Sequence, residues 1–282
     1  MMHESDKRWE IKPESSLLDL KIKESIDYKD LLWLLVRRDF ISFYKQTVLG
    51  PVWFFIQPIF TVLMFSLIFG GVAGISTDHL PKSLFYLAGI VTWNYFSDCL
   101  IKTSTVFRDN TMIFGKVYFP RLIMPLSIIF SNLIRFAVQL LLLLLLMLYY
   151  YIQGEHFHFT VFILLFPFLV LLMASLGLGA GMIVSALTTK YRDLAFIVSF
   201  GVPLLMYSTT VVYPLSAAPS QYFKFIKYNP MTSIIETFRL GFLGVGNFSW
   251  NLLGYSTIVT FSVLIAGVII FNKVQRSFVD IV

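Results

Sequence analysis

The feature that most constrains this chain of 282 residues is a series of long apolar runs that follows a charged, polar start. A bilayer core takes about 20 apolar residues per helix. Runs near Val52–Ala73, Leu84–Thr105, Leu122–Ile152, Val161–Leu187, Ala195–Tyr213 and Leu252–Phe271 approach or exceed that length. A water-soluble domain of this size needs a charged surface, yet only 13 % of the residues are charged and 57 % are hydrophobic. The sequence therefore predicts an all-α integral membrane protein with six transmembrane helices. At 1.5 Å rise per residue the third run extends roughly 45 Å, so that helix tilts, bends or projects.

Loop charge predicts the orientation. With both termini inside, seventeen Lys and Arg residues fall on the cytoplasmic side, and only Lys82, Lys224, Lys227 and Arg239 fall outside. That asymmetry is the positive-inside pattern. It also accounts for the formal net charge of +6 without a nucleic-acid partner. Residues 1–27 form a polar cytoplasmic tail, too charged for the apolar core of a cleavable signal peptide. The lone cysteine, Cys99, can form no disulfide within the chain and no metal cluster.

Two segments outside the runs have a pattern of their own. In 28–47, Tyr28, Leu31, Leu32, Leu35 and Val36 make one apolar stripe, with Lys29, Asp30, Arg37 and Arg38 elsewhere on the wheel. This predicts an amphipathic helix along the membrane interface, or one packed on another domain. Gly50-Pro51 then favours a sharp turn into the bilayer. The second segment, 214–251, is too apolar to be a solvated loop and is broken by Pro219, Asn229-Pro230, Gly241, Gly244 and Gly246. Its two short apolar stretches, Gln221–Tyr228 and Met231–Leu243, cannot cross. They read as a re-entrant helix pair on the outer face, before the last span.

Polar residues inside spans carry information because hydrocarbon disfavours them. Asn94, Asp98 and Lys102 recur at intervals of four, and Asn132, Arg135 and Gln139 at intervals of three and four, so each set lies on one helical face. Either the stripes pair within the bundle, Asp98 with Arg135 for example, or they line a hydrated pathway. Gly177 and Gly181 form a small-xxx-small pair suited to close helix packing. Tyr207 and Tyr213 stand at an expected membrane boundary, as interfacial anchors or as rings able to stack on sugars.

Several chemistries are not encoded in recognisable form. There is no G-x-x-x-x-G-K-[ST] for nucleotide phosphates, since Gly115-Lys116 is followed by Val117. There is no H-E-x-x-H, and His156 and His158 with Glu155 are a weak ligand set. Metal ligands and catalytic residues are therefore expected to be none. Glu236 and Arg239 have the spacing of an i,i+3 ion pair that holds a helix.

Several blocks together carry a family resemblance. Arg37-Arg38-Asp39, then Tyr44 to Trp53 with Gln57-Pro58, resemble the opening of ABC-exporter permeases for bacterial surface polysaccharides. Phe119-Pro120-Arg121 with Pro125, Tyr191-Arg192-Asp193-Leu194, and Asn229-Pro230-Met231 leading to Glu236 and Arg239 are similar to further blocks of that family. The resemblance runs from about Tyr28 onward. It implies a half-transporter in the inner (cytoplasmic) membrane, working with a second copy of itself and two separate ABC ATPase subunits. Those subunits, not this chain, would bind ATP and Mg. The cargo it implies is an undecaprenyl-diphosphate-linked glycan such as O-antigen.

The resemblance also suggests roles. Arg108, Asp109 and Lys116 in one cytoplasmic loop, and Tyr191, Arg192 and Asp193 in the next, would meet the ATPases. Arg37, Arg38, Lys45 and Arg121 would meet the lipid diphosphate at its entrance. Asn94, Asp98, Asn132, Arg135, Gln139, Tyr207 and Tyr213 would line the pathway. Asn229, Pro230, Glu236 and Arg239 would belong to the extracellular gate. An exporter of teichoic acid or of a small amphipathic compound shares this architecture. A polytopic lipid-linked sugar transferase would need paired carboxylates near the membrane surface, and an ion-driven transporter would show inverted repeats; neither pattern is visible.

Overall fold

The computed structural model describes residues 27–45, 47–110, 119–155, 157–191 and 193–279, with side chains at all of these except 43, 44 and 275–279. Every regular element among them is a helix. Five helical stretches are long and apolar enough to cross a membrane: Gly50–Val72, Lys82–Ser104, Ile123–Ile152, Val161–Lys190 and Trp250–Val274. The protein is thus an integral membrane protein, with spans close to five of the six runs.

The chain begins with α1 (Lys29–Tyr44). Gly50 turns it with φ of 52°, a left-handed value that suits glycine, and Pro51 sits in the first turn that follows. The first span continues through α2 (Trp53–Phe65) and ends in a π-helical stretch, Ser66–Val72. Next come α3 (Lys82–Ser104), the short α4 (Val106–Asp109), and the long α5 (Ile123–Ile152). A 3-10 turn at Val161–Leu165 leads into α6 (Phe166–Lys190).

The expected fifth span, Ala195–Tyr213, differs. It consists of α7 (Leu194–Leu205) and a 3-10 turn, Met206–Ser208. These 15 residues rise about 22 Å if fully α-helical, short of a bilayer core of about 30 Å. The physical reason lies in the sequence. Pro203 cannot donate to the helix ladder, and the Ser208 and Thr209 hydroxyls bond back to the Leu205 and Met206 carbonyls at 2.7 and 2.6 Å. Thr209 itself has an extended backbone, and turns and bends carry the chain on to Pro214. The segment at 214–251 then holds a 3-10 turn (Leu215–Ala217), the short α8 (Phe223–Lys227) and α9 (Pro230–Leu243), before α10 (Trp250–Val279) closes the chain.

Helix α3 is the centre of the molecule. Of its most apolar stretch 83 % is buried, against 17 % for the first span. It packs on α6, α5, α9 and α2. Glycines make the tightest of these approaches possible. A Cβ at Gly177 would stand 2.8 Å from Cys99 Cβ, and one at Gly181 would stand 2.6 Å from Thr103 Cβ, so the small-xxx-small face of α6 seats α3. On the other side of α6, Gly179 meets the backbone of α10 at Leu264, and Gly267 of α10 meets Gly179.

Among the described residues, most of the buried apolar side chains fall in two clusters. The larger joins α3, α5, α6 and α9. The smaller joins Leu35 of α1, Val106 and Phe107 of α4, Met124 of α5, Met182 of α6 and Phe271 of α10, with Tyr28, Leu31 and Leu32 packed against it. The predicted apolar stripe of α1 is therefore its packing face. Trp33 and Leu34, next to that stripe, remain exposed.

Candidate functional site

The two polar stripes face each other. On α3 and α5, Asn94 Nδ2 donates to Gln139 Oε1 at 3.4 Å, and Lys102 Nζ donates to Asn132 Oδ1 at 2.9 Å. Asn132 Nδ2 reaches Cys99 Sγ at 3.9 Å. Asp98, one turn from Lys102, has Lys102 and Arg135 as its principal charged neighbours. The Arg135 guanidinium lies 5.4 Å from the ring centre of Phe54 in α2. Helix packing thus turns two one-sided stripes into a shared polar seam that rises about 12 Å from Lys102 to Asn94. The seam offers amide, ammonium, guanidinium and carboxylate groups in one apolar bundle.

The basic residues on and near α1 have different surroundings. Arg37 lines an open groove of about 420 Å³ between α1 and α5, whose other walls are Trp33, Val36, Phe40 and Ile134. The groove is apolar with a single cation at its side. Arg38 instead grips Asp39 Oδ1 through Nε and Nη2, at 3.0 and 2.8 Å, and its Nη2 reaches Asn110 Oδ1 at 3.5 Å. Lys45 is exposed at the C-terminal end of α1, and Arg121 is partly buried just before α5.

Of the residues expected to face an ATPase, Arg108 and Asp109 are exposed on α4 and bonded to each other at 3.0 Å. Tyr191 is exposed at the end of α6, with Lys190 Nζ 5.2 Å from its ring centre. Asp193 is exposed, and its carbonyl accepts from the Phe196 N–H at 3.0 Å, opening α7. Lys116 and Arg192 lie outside the described residues, as do 111–118 of the first loop.

Asn229 caps α9. Its Oδ1 accepts from Met231 N–H at 3.0 Å, and Pro230 occupies the first turn, where its missing N–H leaves no bond unmade. Asn229 Nδ2 also reaches Ser208 Oγ and the Ser208 carbonyl, each at 3.4 Å. Within α9 the expected ion pair is present: Arg239 Nη1 and Glu236 Oε1 are 3.7 Å apart, both residues buried. Arg239 also donates to the carbonyls of Thr210, Val211 (3.0 Å) and Phe85 (3.2 Å), with its guanidinium 3.6 Å from the Phe85 ring centre. Glu236 Oε2 accepts from Asn247 N–H at 2.9 Å. These contacts pin α9 to α3, to the turn at Thr210 and Val211 after α7 and to the turn before α10.

Tyr213 donates its hydroxyl to the Tyr207 carbonyl at 2.8 Å, and the Tyr207 ring meets Phe69 at 6.2 Å. The two tyrosines are therefore joined in one turn, Tyr207 exposed and Tyr213 half-buried.

Three contributors were not singled out from the sequence as site residues. Gly89 leaves room for Arg239, since a Cβ there would stand 2.6 Å from Nη2. Asp39 and Asn110 both bind Arg38. The only sequence signal for Asp39 was its place in the Arg37-Arg38-Asp39 block, and Asn110 carried none.

The sequence profile of the ABC-2 type transporter family matches residues 30–243. The chain is similar to an "O-antigen export system permease protein RfbA" of Klebsiella pneumoniae, 27 % identical over 266 residues covering 94 % of this chain and 100 % of the relative. A second protein of that name from the same species is 26 % identical over the same extent. One from Myxococcus xanthus is 30 % identical over 220 residues, covering 77 % of this chain and 82 % of the relative. The profile match spans α1 through α9, and the chain belongs to the ABC-2 type transporter family as one of its integral membrane permeases.

Proposed function

We propose that this chain is the membrane-spanning subunit of an ATP-driven exporter that moves lipid-linked polysaccharide, O-antigen-like in kind, across the inner membrane. The observation that carries the reading is the likeness to O-antigen export permeases over 94 % of the chain and the whole length of the relative. Two copies enclose the pathway, and two ABC ATPase subunits dock on the cytoplasmic loops. The exposed apolar faces of the first span and of α7, among them Phe60, Leu63, Phe196 and Phe200, suit cover by lipid and by the second copy. In this arrangement Leu194–Ser208 and the turn that follows it make the crossing between α6 and α10, which brings the number to six. Helices α8 and α9 form a re-entrant pair on the outer face, and both termini are cytoplasmic.

The cargo is an undecaprenyl-diphosphate-linked glycan. Its diphosphate meets Arg37, with Lys45 and Arg121 as further cations. Its isoprenoid tail suits the apolar walls beside Arg37. Tyr207 and Tyr213 offer rings and a hydroxyl to the sugars. Arg108, Asp109 and Tyr191, exposed at the cytoplasmic ends of α4 and α6, face the ATPases with their neighbours Lys116, Arg192 and Asp193.

The test is to purify the chain with its ABC ATPase, reconstitute both in vesicles and add lipid-linked glycans. Hydrolysis should rise with glycan. Stimulation by small amphipathic compounds but by no glycan would overturn the cargo assignment.

A further inference from the structure

The ion pair inside α9 is too long for a hydrogen bond. Arg239 Nη1 and Glu236 Oε1 stand 3.7 Å apart, although each side chain is only 2 % exposed. A polar pair at that distance, closed off from solvent, calls for a bridging atom. The same cage holds three buried polar atoms that meet no partner among the described residues: Glu236 Oε1, Arg239 Nε and Thr210 Oγ1. All three gather on one guanidinium. Its Nη1 donates to the Thr210 carbonyl, its Nη2 donates to the carbonyls of Val211 and Phe85, and Nε belongs to the same planar group. Glu236 commits its other oxygen, Oε2, to the Asn247 N–H at 2.9 Å. Every remaining side-chain polar atom of Glu236 and Arg239 thus has its own bond. Buried polar atoms in folded proteins are nearly always bonded, to protein or to ordered water.

We propose that the Arg239 cage is a binding site for one water molecule, which donates to Glu236 Oε1 and accepts from Arg239 Nε–H and from the Thr210 hydroxyl. The three atoms select this ligand by their chemistry. A carboxylate oxygen only accepts and a guanidinium N–H only donates, so the ligand must do both. A cation is repelled by Arg239, and an anion is repelled by Glu236. An apolar group would leave all three atoms unmet. A neutral molecule with one heavy atom, two donors and two acceptors suits them, and three bonds is the usual number for a buried water. The water carries the charge of Glu236 to Arg239 across a gap that the two side chains do not close themselves. It also joins α9 to the turn after α7 at a point separate from the bonds to the Thr210 and Val211 carbonyls. The site holds whatever the cargo of the transporter.

The direct test is an electron cryo-microscopy map of the full-length chain in detergent, resolved well enough to show ordered water. It should contain a peak within hydrogen-bond distance of Glu236 Oε1, Arg239 Nε and Thr210 Oγ1. A map of that quality without the peak would overturn the proposal. Bromide in place of chloride should leave the peak unchanged; a heavier peak would make the ligand an anion and overturn the water. Thermal unfolding of the same full-length chain supplies a second measurement. Thr210→Val keeps the shape of the side chain and removes its hydroxyl. A hydroxyl with no partner could be removed without loss. One bonded to water could not, and the midpoint should fall by about 2–4 °C. Thr210→Ser keeps the hydroxyl and loses a methyl group, and should melt above Thr210→Val. The reverse order, with Thr210→Val at or above Thr210→Ser, would show that Thr210 only fills space, and the three-atom site would fall with it.

Discussion

Two regions among the described residues hold charge within the bundle, Arg239 buried and Asp98, Lys102 and Arg135 partly so, and they are built in opposite ways. One, around Arg239, is closed. Its guanidinium has three backbone carbonyls, a carboxylate 3.7 Å away, an aromatic face and a glycine cut to its shape. Carbonyl partners belong to the backbone and cannot rotate away. The other, around Asp98, Lys102 and Arg135, is made of side chains meeting side chains, with contacts at 2.9, 3.4 and 3.9 Å. Each of those partners has other rotamers. The comparison teaches that buried charge in a membrane serves as a lock when the backbone answers it, and as an adjustable seam when other side chains do.

Substitutions can break that comparison, and the largest effect is expected at the lock. Arg239→Ala leaves Glu236 buried without its cation and frees three carbonyls, a loss of about 3–5 kcal/mol. It should show as failure to recover folded protein from the membrane. Arg239→Lys should not rescue it, since a single ammonium cannot reach carbonyls on two sides at once. Wild-type thermal unfolding of Arg239→Ala in detergent would show that the region is no lock. Gly89→Ala comes next. It overpacks the same cage from the α3 side, at about 1–3 kcal/mol, read as a lower midpoint in the same melt.

The seam should respond more gently. Lys102→Met removes one hydrogen bond and one desolvated cation together, so the net loss of stability is about 1 kcal/mol. Export should suffer more than the melt does. A melt as depressed as that of Arg239→Ala would erase the distinction between the two regions. The smallest effect is expected outside both, at Arg108→Ala. That pair is exposed, and its removal should shift stability by less than about 1 kcal/mol. Any strong export defect in Arg108→Ala would then report on the ATPase contact and not on folding.

Much of the architecture was legible in one dimension. Span positions follow from runs of apolar residues, because a helix that crosses lipid must be apolar along its whole length. The stripe of α1 and the i,i+3 pair of α9 were legible for a similar reason: both are properties of a single helix, fixed by 3.6 residues per turn. The Asn229-Pro230 cap is equally local. The run at Ala195–Tyr213 is longer than the helix it forms, because composition continues past the point where Pro203 and the hydroxyls of Ser208 and Thr209 end that helix.

What the chain alone could not reveal is which faces meet. The spacing of Asn94, Asp98 and Lys102 placed them together, and so did that of Asn132, Arg135 and Gln139. Whether the two sets faced water, lipid or each other depended on the seating of α3 against α5, which is an outcome of all the packed helices at once. The same holds for Asp39 and Asn110, separated by 71 positions and joined through Arg38. It holds too for Gly89, whose missing side chain matters only because Arg239 arrives there from a distant helix. Local periodicity decides what each helix shows on its surface. Only the assembled bundle decides what that surface touches, because contact depends on distances that no single helix contains.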